Sequence, residues 1–356
     1  MSIKIGVVES NIPVNISAAS PNEHIAIFGL SGTGKSTRIS EIVHDINTSG
    51  KTVIMFDVSG YDFPASGKEN RIFVGRDGLN LSFLEPFDGE VGKEIYANHL
   101  AYLVDMFVSV YKLGTRQRGF LRLALEYALK NRQTFSNDAE AIIAGLEGQD
   151  SDIAEGVYNK LWQLLHSNIW EKSHKHFLDG KINVIDFSGV NPSMQKEVTE
   201  ILIYDLWAAI RMARGSFGVC LVLDECQHFL TKGKTILLEM LRESRKYGTN
   251  IILSTQTTAG FSVSAMAAIN QSAVQLYFRP APSDIKKVAD TIAPQDAGRW
   301  RLKLKNLQIG ESIAIGNLVI GRREIMYPIV IRSAYNEKNG MDRDKNSLQI
   351  TSKGLN

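Results

Sequence analysis

The sequence predicts an α/β fold, a mostly parallel sheet covered by helices on both faces, with an inserted helical subdomain. Three observations carry that prediction. Gly29-Leu30-Ser31-Gly32-Thr33-Gly34-Lys35-Ser36-Thr37 matches the phosphate-loop pattern G-x-x-x-x-G-K-[ST]. Short apolar runs ending in polar residues alternate with stretches of helical periodicity. Between residues 90 and 175 the strand pattern stops and amphipathic stripes take over.

Taken in order, residues 1–20 form a short lead-in. Ile3, Ile5, Val7 and Val8 suit one edge strand, and Pro13 with the Asn/Ser-rich stretch after it reads as loop. The core begins within 21–89. His24-Ile25-Ala26-Ile27-Phe28 is a buried strand entering the phosphate loop, and Ile39, Ile42, Val43 and Ile46 mark a helix leaving it. Asn47-Thr48-Ser49-Gly50 stops that helix. Lys51-Thr52-Val53-Ile54-Met55-Phe56-Asp57 is a second strand, Arg71-Ile72-Phe73-Val74 a third, and residues 79–87 an extended loop.

Within the insertion, 90–175, Tyr96, Leu100, Leu103, Phe107 and Val110 make a helical stripe, and 118–130 and 152–166 read as further helices. The basic stretch from Lys112 through Arg116 to Arg118 reads as a solvated helix start in preference to a nucleic-acid-facing loop. The core resumes over 176–333. Ile182-Asn183-Val184-Ile185-Asp186 is a strand, and Val198, Leu202, Leu206 and Ile210 line one helix face. Val219-Cys220-Leu221-Val222-Leu223 is apolar throughout, as in a strand buried on both sides, and it ends in Asp224-Glu225. Residues 234–247 read as a helix, and Asn250-Ile251-Ile252-Leu253-Ser254-Thr255-Gln256 as another buried strand. Residues 273–278 add a strand, Ser283 is placed to cap a short helix, and 313–315 with 325–331 suit a closing hairpin or edge strands. The stretch 334–356 is polar and aperiodic, a tail or docking arm.

Bulk properties narrow the class. The 356 residues are 44% hydrophobic and 22% charged, an ordinary globular composition, and the net charge of +2 neither demands nor excludes a polyanionic partner. Only Cys220 and Cys226 occur, so a disulfide framework is not expected and a reducing compartment fits. No apolar run approaches a membrane span and no signal peptide stands at the N-terminus, which predicts a cytoplasmic protein without direct membrane insertion.

The polar residues fall where a parallel sheet binds ligands, outside the carboxyl ends of its strands: the phosphate loop, Asp57, Asp186, Asp224-Glu225 and Gln256. Gly29, Ser31, Gly32, Thr33 and Gly34 supply backbone that can wrap phosphate oxygens. Lys35 reaches the β and γ phosphates, and Ser36 and Thr37 open the helix whose positive end faces them. Ser36 and Asp224 are the candidate Mg²⁺ ligands, and Glu225 is the candidate base for the attacking water. Gln256 is placed to sense the γ phosphate. Arg242 and Arg245 are spaced three apart and would share a helix face, and one of them could serve a neighbouring subunit. The expected cofactors are ATP and Mg²⁺.

These motifs, in this order, resemble the HerA–FtsK superfamily of ring-forming, DNA-pumping ATPases, most closely its HerA and conjugation-ATPase branches. The segment from Leu223 to Phe229 resembles the family's aspartate-glutamate-alanine-histidine segment, with Gln227 and His228 shifted from the usual histidine. Glu243-Ser244-Arg245-Lys246-Tyr247-Gly248 and Leu253-Ser254-Thr255-Gln256 resemble its arginine helix and glutamine sensor. Asp57-Val58-Ser59-Gly60-Tyr61-Asp62 resembles a segment that carries glutamate where Tyr61 stands here. The stretch 307–316 resembles the closing glycine-glutamate strand.

The resemblance implies a RecA-like P-loop NTPase core, a homo-oligomer that forms a hexamer around a central channel with ATP at its subunit interfaces, double-stranded DNA as cargo, and Arg245 acting in trans. The short lead-in leaves no room for the β-barrel of HerA proteins, so barrel-mediated nuclease docking is not expected. Two readings of function follow: an ATP-driven DNA translocase, or an ATP-dependent ring scaffold for a nuclease or other effector.

Overall fold

The computed structural model describes residues 3–58, 69–79, 81–85, 93–170, 177–213, 218–230, 235–258 and 261–334. The chain divides into two compact units, Met1–Ser49 with Ser272–Asn356, and Gly50–Gln271. Its strands are β1 (Lys4–Val7), β2 (Pro13–Ile16), β3 (Ile25–Phe28), β4 (Thr52–Asp57), β5 (Asn70–Phe73), β6 (Ile182–Asp186), β7 (Val219–Leu223), β8 (Asn250–Thr255), β9 (Val274–Tyr277), β10 (Glu311–Gly316), β11 (Leu318–Ile320), β12 (Arg323–Ile325) and β13 (Ile329–Arg332).

In the first unit the sheet runs β12-β11-β2-β1-β13-β10-β9-β3. β3 lies parallel to β9, with Ile25 opposite Val274 and Phe28 opposite Tyr277, and the last two rings stack at 4.9 Å. From β9 outward the pairs are antiparallel. β3 is buried along its whole length, which is why it reads as an unbroken apolar run. The helix Lys35–Thr48 follows the phosphate loop. Its Ile39, Ile42, Val43 and Ile46 are all at most 2% exposed, each such burial contributing about 1.5–3 kcal/mol.

In the second unit the order is β8-β7-β4-β6-β5, every pair parallel. β4, β6 and β7 are buried at every position. Helices cover them, the longest being Pro192–Met212, which starts where Asn191 accepts from the Ser193 N–H and Pro192 pre-sets the first turn. Between β5 and β6 four helices pack on one another: Lys93–Tyr111, Thr115–Asn131, Asp138–Glu147 and Asp152–Leu165. Gly145 lets two of them meet, since a Cβ there would lie 2.5 Å from the Ala124 carbonyl oxygen.

Several local expectations are corrected. β1 is not an edge strand, because β2 and β13 flank it. The stretch at Pro13 is strand β2, with Val14 and Ile16 buried; proline costs nothing at a strand's first residue, where no ladder donor is needed. Of the two alternatives for 313–315 and 325–331, the antiparallel pairing holds, β10 with β13, while β10 is no edge strand because β9 flanks its other side. Asp284, not Ser283, stands at the N-cap of Ile285–Ile292, and neither side chain caps the backbone. The helices Asp138–Glu147 and Ala297–Asn306 had no counterpart in the sequence reading. The predicted helix over 234–247 is shorter: an α-helix Ile236–Glu243 gives way to a 3₁₀ turn, Ser244–Tyr247. Ser59 through Asp62, Asn80, residues 86–87 and the tail from 335 lie outside the described residues.

Candidate active site

The phosphate loop is built by three glycines and three anchors. Gly29, Gly32 and Gly34 hold φ of 149°, 74° and 103°, a region side chains rarely enter. Space is a second demand: a Cβ on Gly29 would lie 2.6 Å from Cβ of Phe278, and one on Gly34 2.8 Å from the Gly310 nitrogen. Leu30 N–H donates to Arg279 at 3.0 Å, and Gly310 N–H donates to the Thr33 carbonyl at 2.9 Å. The Thr33 hydroxyl and Lys35 Nζ both donate to the Leu30 carbonyl, at 2.7 and 3.0 Å. Lys35 is therefore buried and folded back along the loop, while Ser31, Gly32 and Thr37 are exposed and Ser36 is half-buried. Among the described residues, the backbone N–H groups of Ser31, Gly32, Thr33 and Gly34 have no protein acceptor. Four orphan donors at a helix N-terminus fit an anion such as a phosphate group.

The second unit carries the acidic groups. β7 delivers buried Asp224, and a turn carries Glu225 with φ of 48°, a left-handed conformation that a β-carbon resists. The turn is pinned by Glu225 N–H to Asp224 Oδ1 at 3.0 Å, Cys226 N–H to the Ser254 carbonyl at 2.9 Å and His228 N–H to the Glu225 carbonyl at 3.1 Å. Both Glu225 oxygens are held: Gln227 donates to Oε2 at 2.6 Å and Gln256 to Oε1. Thr255 Oγ1 donates to the Gln227 oxygen at 2.6 Å and so orients that amide. The strand-end expectation thus brings Asp224, Glu225 and Gln256 together, and adds Gln227, which the sequence singled out only as a departure from a motif.

Asp57 and Asp186 end adjacent strands β4 and β6, where they face each other in register. Arg71 on β5 bridges them, its Nη1 3.1 Å from Asp57 Oδ2 and 2.5 Å from Asp186 Oδ2. Burial works against the Arg71 charge, but the two carboxylates outweigh it and raise its pKa. Asp186 is also held by the Ser188 N–H and hydroxyl. No local pattern marks Arg71 in the sequence; its partners lie 14 and 115 positions away.

Arg242 lies in the last turn of the α-helix and Arg245 sits in the 3₁₀ turn, both exposed. The change of helix type at Glu243 breaks the single helical face on which the two were expected. Neither side chain has a partner among the described residues.

Fold and loop together define a P-loop NTPase core. A family model described as the central domain of the helicase HerA (DUF87) matches residues 3–206, more than half of the chain, and the chain belongs to that family. It is similar to a protein of Saccharolobus solfataricus named DNA double-strand break repair helicase HerA, 23% identical over 339 residues, covering 89% of this chain and 66% of that one. It is also similar to the probable helicase MJ1565 of Methanocaldococcus jannaschii, 22% identical, covering 83% and 60%. The chain thus spans less than two thirds of the length of these relatives. Among solved structures, VirB4 of Thermoanaerobacter pseudethanolicus superposes with a TM-score of 0.70 at 17% identity, over 95% of this chain and 97% of that one. The plasmid coupling protein TrwB in complex with ADP and Mg²⁺ gives 0.62 at 14% identity, over 93% and 90%. These likenesses establish the α/β fold. No helix among the described residues is long and apolar enough to cross a membrane.

Proposed function

We propose that the protein is an ATP-driven motor that hydrolyses ATP at the subunit interfaces of a ring, six-membered in our reading, and moves duplex DNA through it. The observation that carries this reading is the clamped carboxylate: Glu225, at the end of a wholly buried strand, held by Gln227 and Gln256. A carboxylate fixed at both oxygens is already oriented to polarise a water, with no rotamer search left to the transition state.

The other roles follow from chemistry and position. Backbone donors of 31–34 and the Lys35 ammonium take the phosphates, a task supported for the backbone donors by their lack of protein acceptors among the described residues. The Ser36 hydroxyl and Asp224 are the groups for Mg²⁺, which when bound neutralises phosphate charge. Lys35 must leave the Leu30 carbonyl to reach a phosphate, a local exchange of one hydrogen bond for a charge-assisted one. Arg245, exposed and without a partner among the described residues, is the group available to a neighbouring subunit. The names of the relatives, a DNA repair helicase and a plasmid coupling protein, support DNA as cargo. A cytoplasmic setting fits the two buried cysteines, neither in a disulfide, and burial pushes the Cys226 thiol up and keeps it inert.

The test is the steady-state ATPase rate with and without duplex DNA for the wild type, Lys35→Ala and Arg245→Ala, together with native mass. The motor reading expects a hexamer whose rate rises with DNA and is lost in both variants. A monomer, or a rate indifferent to DNA in an assembled ring, would reject it, and the second outcome would favour the scaffold reading.

A further inference from the structure

Arg38 is the most deeply buried charged group of the first unit, at 0% exposure, and no sequence motif accounts for it. It sits one turn into the helix that follows the phosphate loop. Its Nη1 donates to the Ile5 carbonyl at 2.8 Å, and its Nη2 to the Gly310 carbonyl at 2.9 Å. Nε lies 3.4 Å from Glu41, and the guanidinium lies 5.8 Å from the centre of the Phe278 ring. Burial lowers its pKa to about 10 against the pull of Glu41, so it stays charged at neutral pH. Packing alone does not call for such a group. An apolar side chain of similar volume fills a core without the desolvation cost of a buried charge.

What the charge holds is Gly310. That residue occupies φ of 85°, with its carbonyl taken by Arg38 and by the Ser333 N–H at 3.1 Å. The Ser333 hydroxyl in turn donates to Glu41, closing the ring of contacts. Gly310 N–H then donates to the Thr33 carbonyl at 2.9 Å, and its backbone lies so close to Gly34 that a Cβ there would sit 2.8 Å from the Gly310 nitrogen. A trans peptide points its C=O and N–H in opposite directions. Pinning the Thr33 oxygen therefore aims the Gly34 N–H, one of the four donors without a protein acceptor, the opposite way.

We propose that Arg38 is a positioning residue for phosphate binding: it fixes Gly310, and Gly310 fixes the Thr33–Gly34 peptide that presents a donor to the nucleotide. This rests on the reading that residues 29–37 bind ATP. The contact spans 272 positions of sequence, so the turn that leads into the closing strand β10 takes part in shaping a loop read as a self-contained motif.

Arg38→Lys keeps the charge but lacks the planar fork whose two nitrogens meet the Ile5 and Gly310 carbonyls, and Arg38→Met removes the charge. In both, the KM for ATP is expected to rise at least about tenfold, more than kcat falls, out of proportion to any loss in Tm. A lower Tm with an unchanged KM would overturn the proposal and leave Arg38 a structural residue. Should both variants fail to fold, hydrogen exchange on the wild-type protein decides. ATP is expected to slow exchange at the Gly310 amide together with the loop 29–37, whereas protection of the loop alone would overturn the coupling. A wild type that shows no ATP binding at all would instead defeat the nucleotide reading, a separate result.

Discussion

Gln256 donates its side-chain amide to Glu225 from the neighbouring strand end, so the carboxylate and the amide expected to sense the γ phosphate form one unit. Gln227 completes the unit from the other side. Removing either amide frees the carboxylate to sample unproductive rotamers. A hydrogen bond to a charged group contributes roughly 1.5–3 kcal/mol, so Gln256→Ala and Gln227→Ala should each lower kcat by about 10- to 100-fold. ATP affinity, measured by titration calorimetry, should change by less than about threefold, since neither group belongs to the phosphate loop. Loss of affinity with kcat preserved would assign both amides to ground-state binding.

Arg71 makes a different prediction because its guanidinium bridges two buried carboxylates that would otherwise face each other directly. Arg71→Met leaves Asp57 and Asp186, both about 1% exposed, facing each other without the guanidinium that bridges them. Breaking such a pair typically costs 3–5 kcal/mol, and the partial exposure of the Arg71 side chain puts the expected loss near 3 kcal/mol in urea unfolding. Arg71→Lys should recover at least half of it.

Asp205 gives a pH-dependent case. It borders a cavity of about 230 Å³ lined by Ile54, Phe56, Ile185, Leu202 and Leu206, and burial pushes its carboxyl up from 3.8 to about 6. The folded state therefore binds this proton more tightly than the unfolded chain. Its favourable contribution is complete below about pH 4 and is lost as pH rises through 6. At neutral pH the ionised group costs up to about 3 kcal/mol relative to a neutral one. Asp205→Asn should accordingly unfold at higher urea than the wild type at pH 7.5, by about 1–3 kcal/mol, and show no advantage at pH 4.

Arg245 tests the shared site. Arg245→Ala should lower kcat by on the order of 10³-fold while the isolated protein still binds ATP. Mixed with Lys35→Ala, whose arginine is intact, it should regain hydrolysis, because its own phosphate loop then meets a functional partner residue. Mixed assemblies no more active than either variant alone would contradict an arginine supplied in trans.

Much of this was legible in the sequence, and the exceptions share a cause. The phosphate loop, the buried strands and the carboxylates that end them declare themselves locally, through glycine spacing and unbroken apolar runs. The roles of Arg38 and Arg71 do not. Each is a lone arginine with a decisive partner far along the chain, 115 positions for Arg71 to Asp186 and 272 for Arg38 to Gly310, and a lone arginine carries no periodic signature. Strand β2 was hidden by its opening proline and polar neighbours, although Val14 and Ile16 already alternate with period two. The 3₁₀ turn at Ser244–Tyr247 was hidden because its residues suit an α-helix equally well; the left-handed Gly248 just beyond it ends the element.

The most direct test of the central claim is displacement of a third strand from a DNA triplex, followed for the wild type and Glu225→Gln. The amide keeps the shape of the carboxylate but cannot serve as a base. A DNA motor powered from Glu225 predicts ATP-dependent displacement by the wild type. It predicts none by Glu225→Gln, which should still bind ATP and whose kcat should fall by about 10²–10⁴-fold. A wild type that hydrolyses ATP without displacing the strand, or a Glu225→Gln variant that displaces it at the normal rate, would contradict the account.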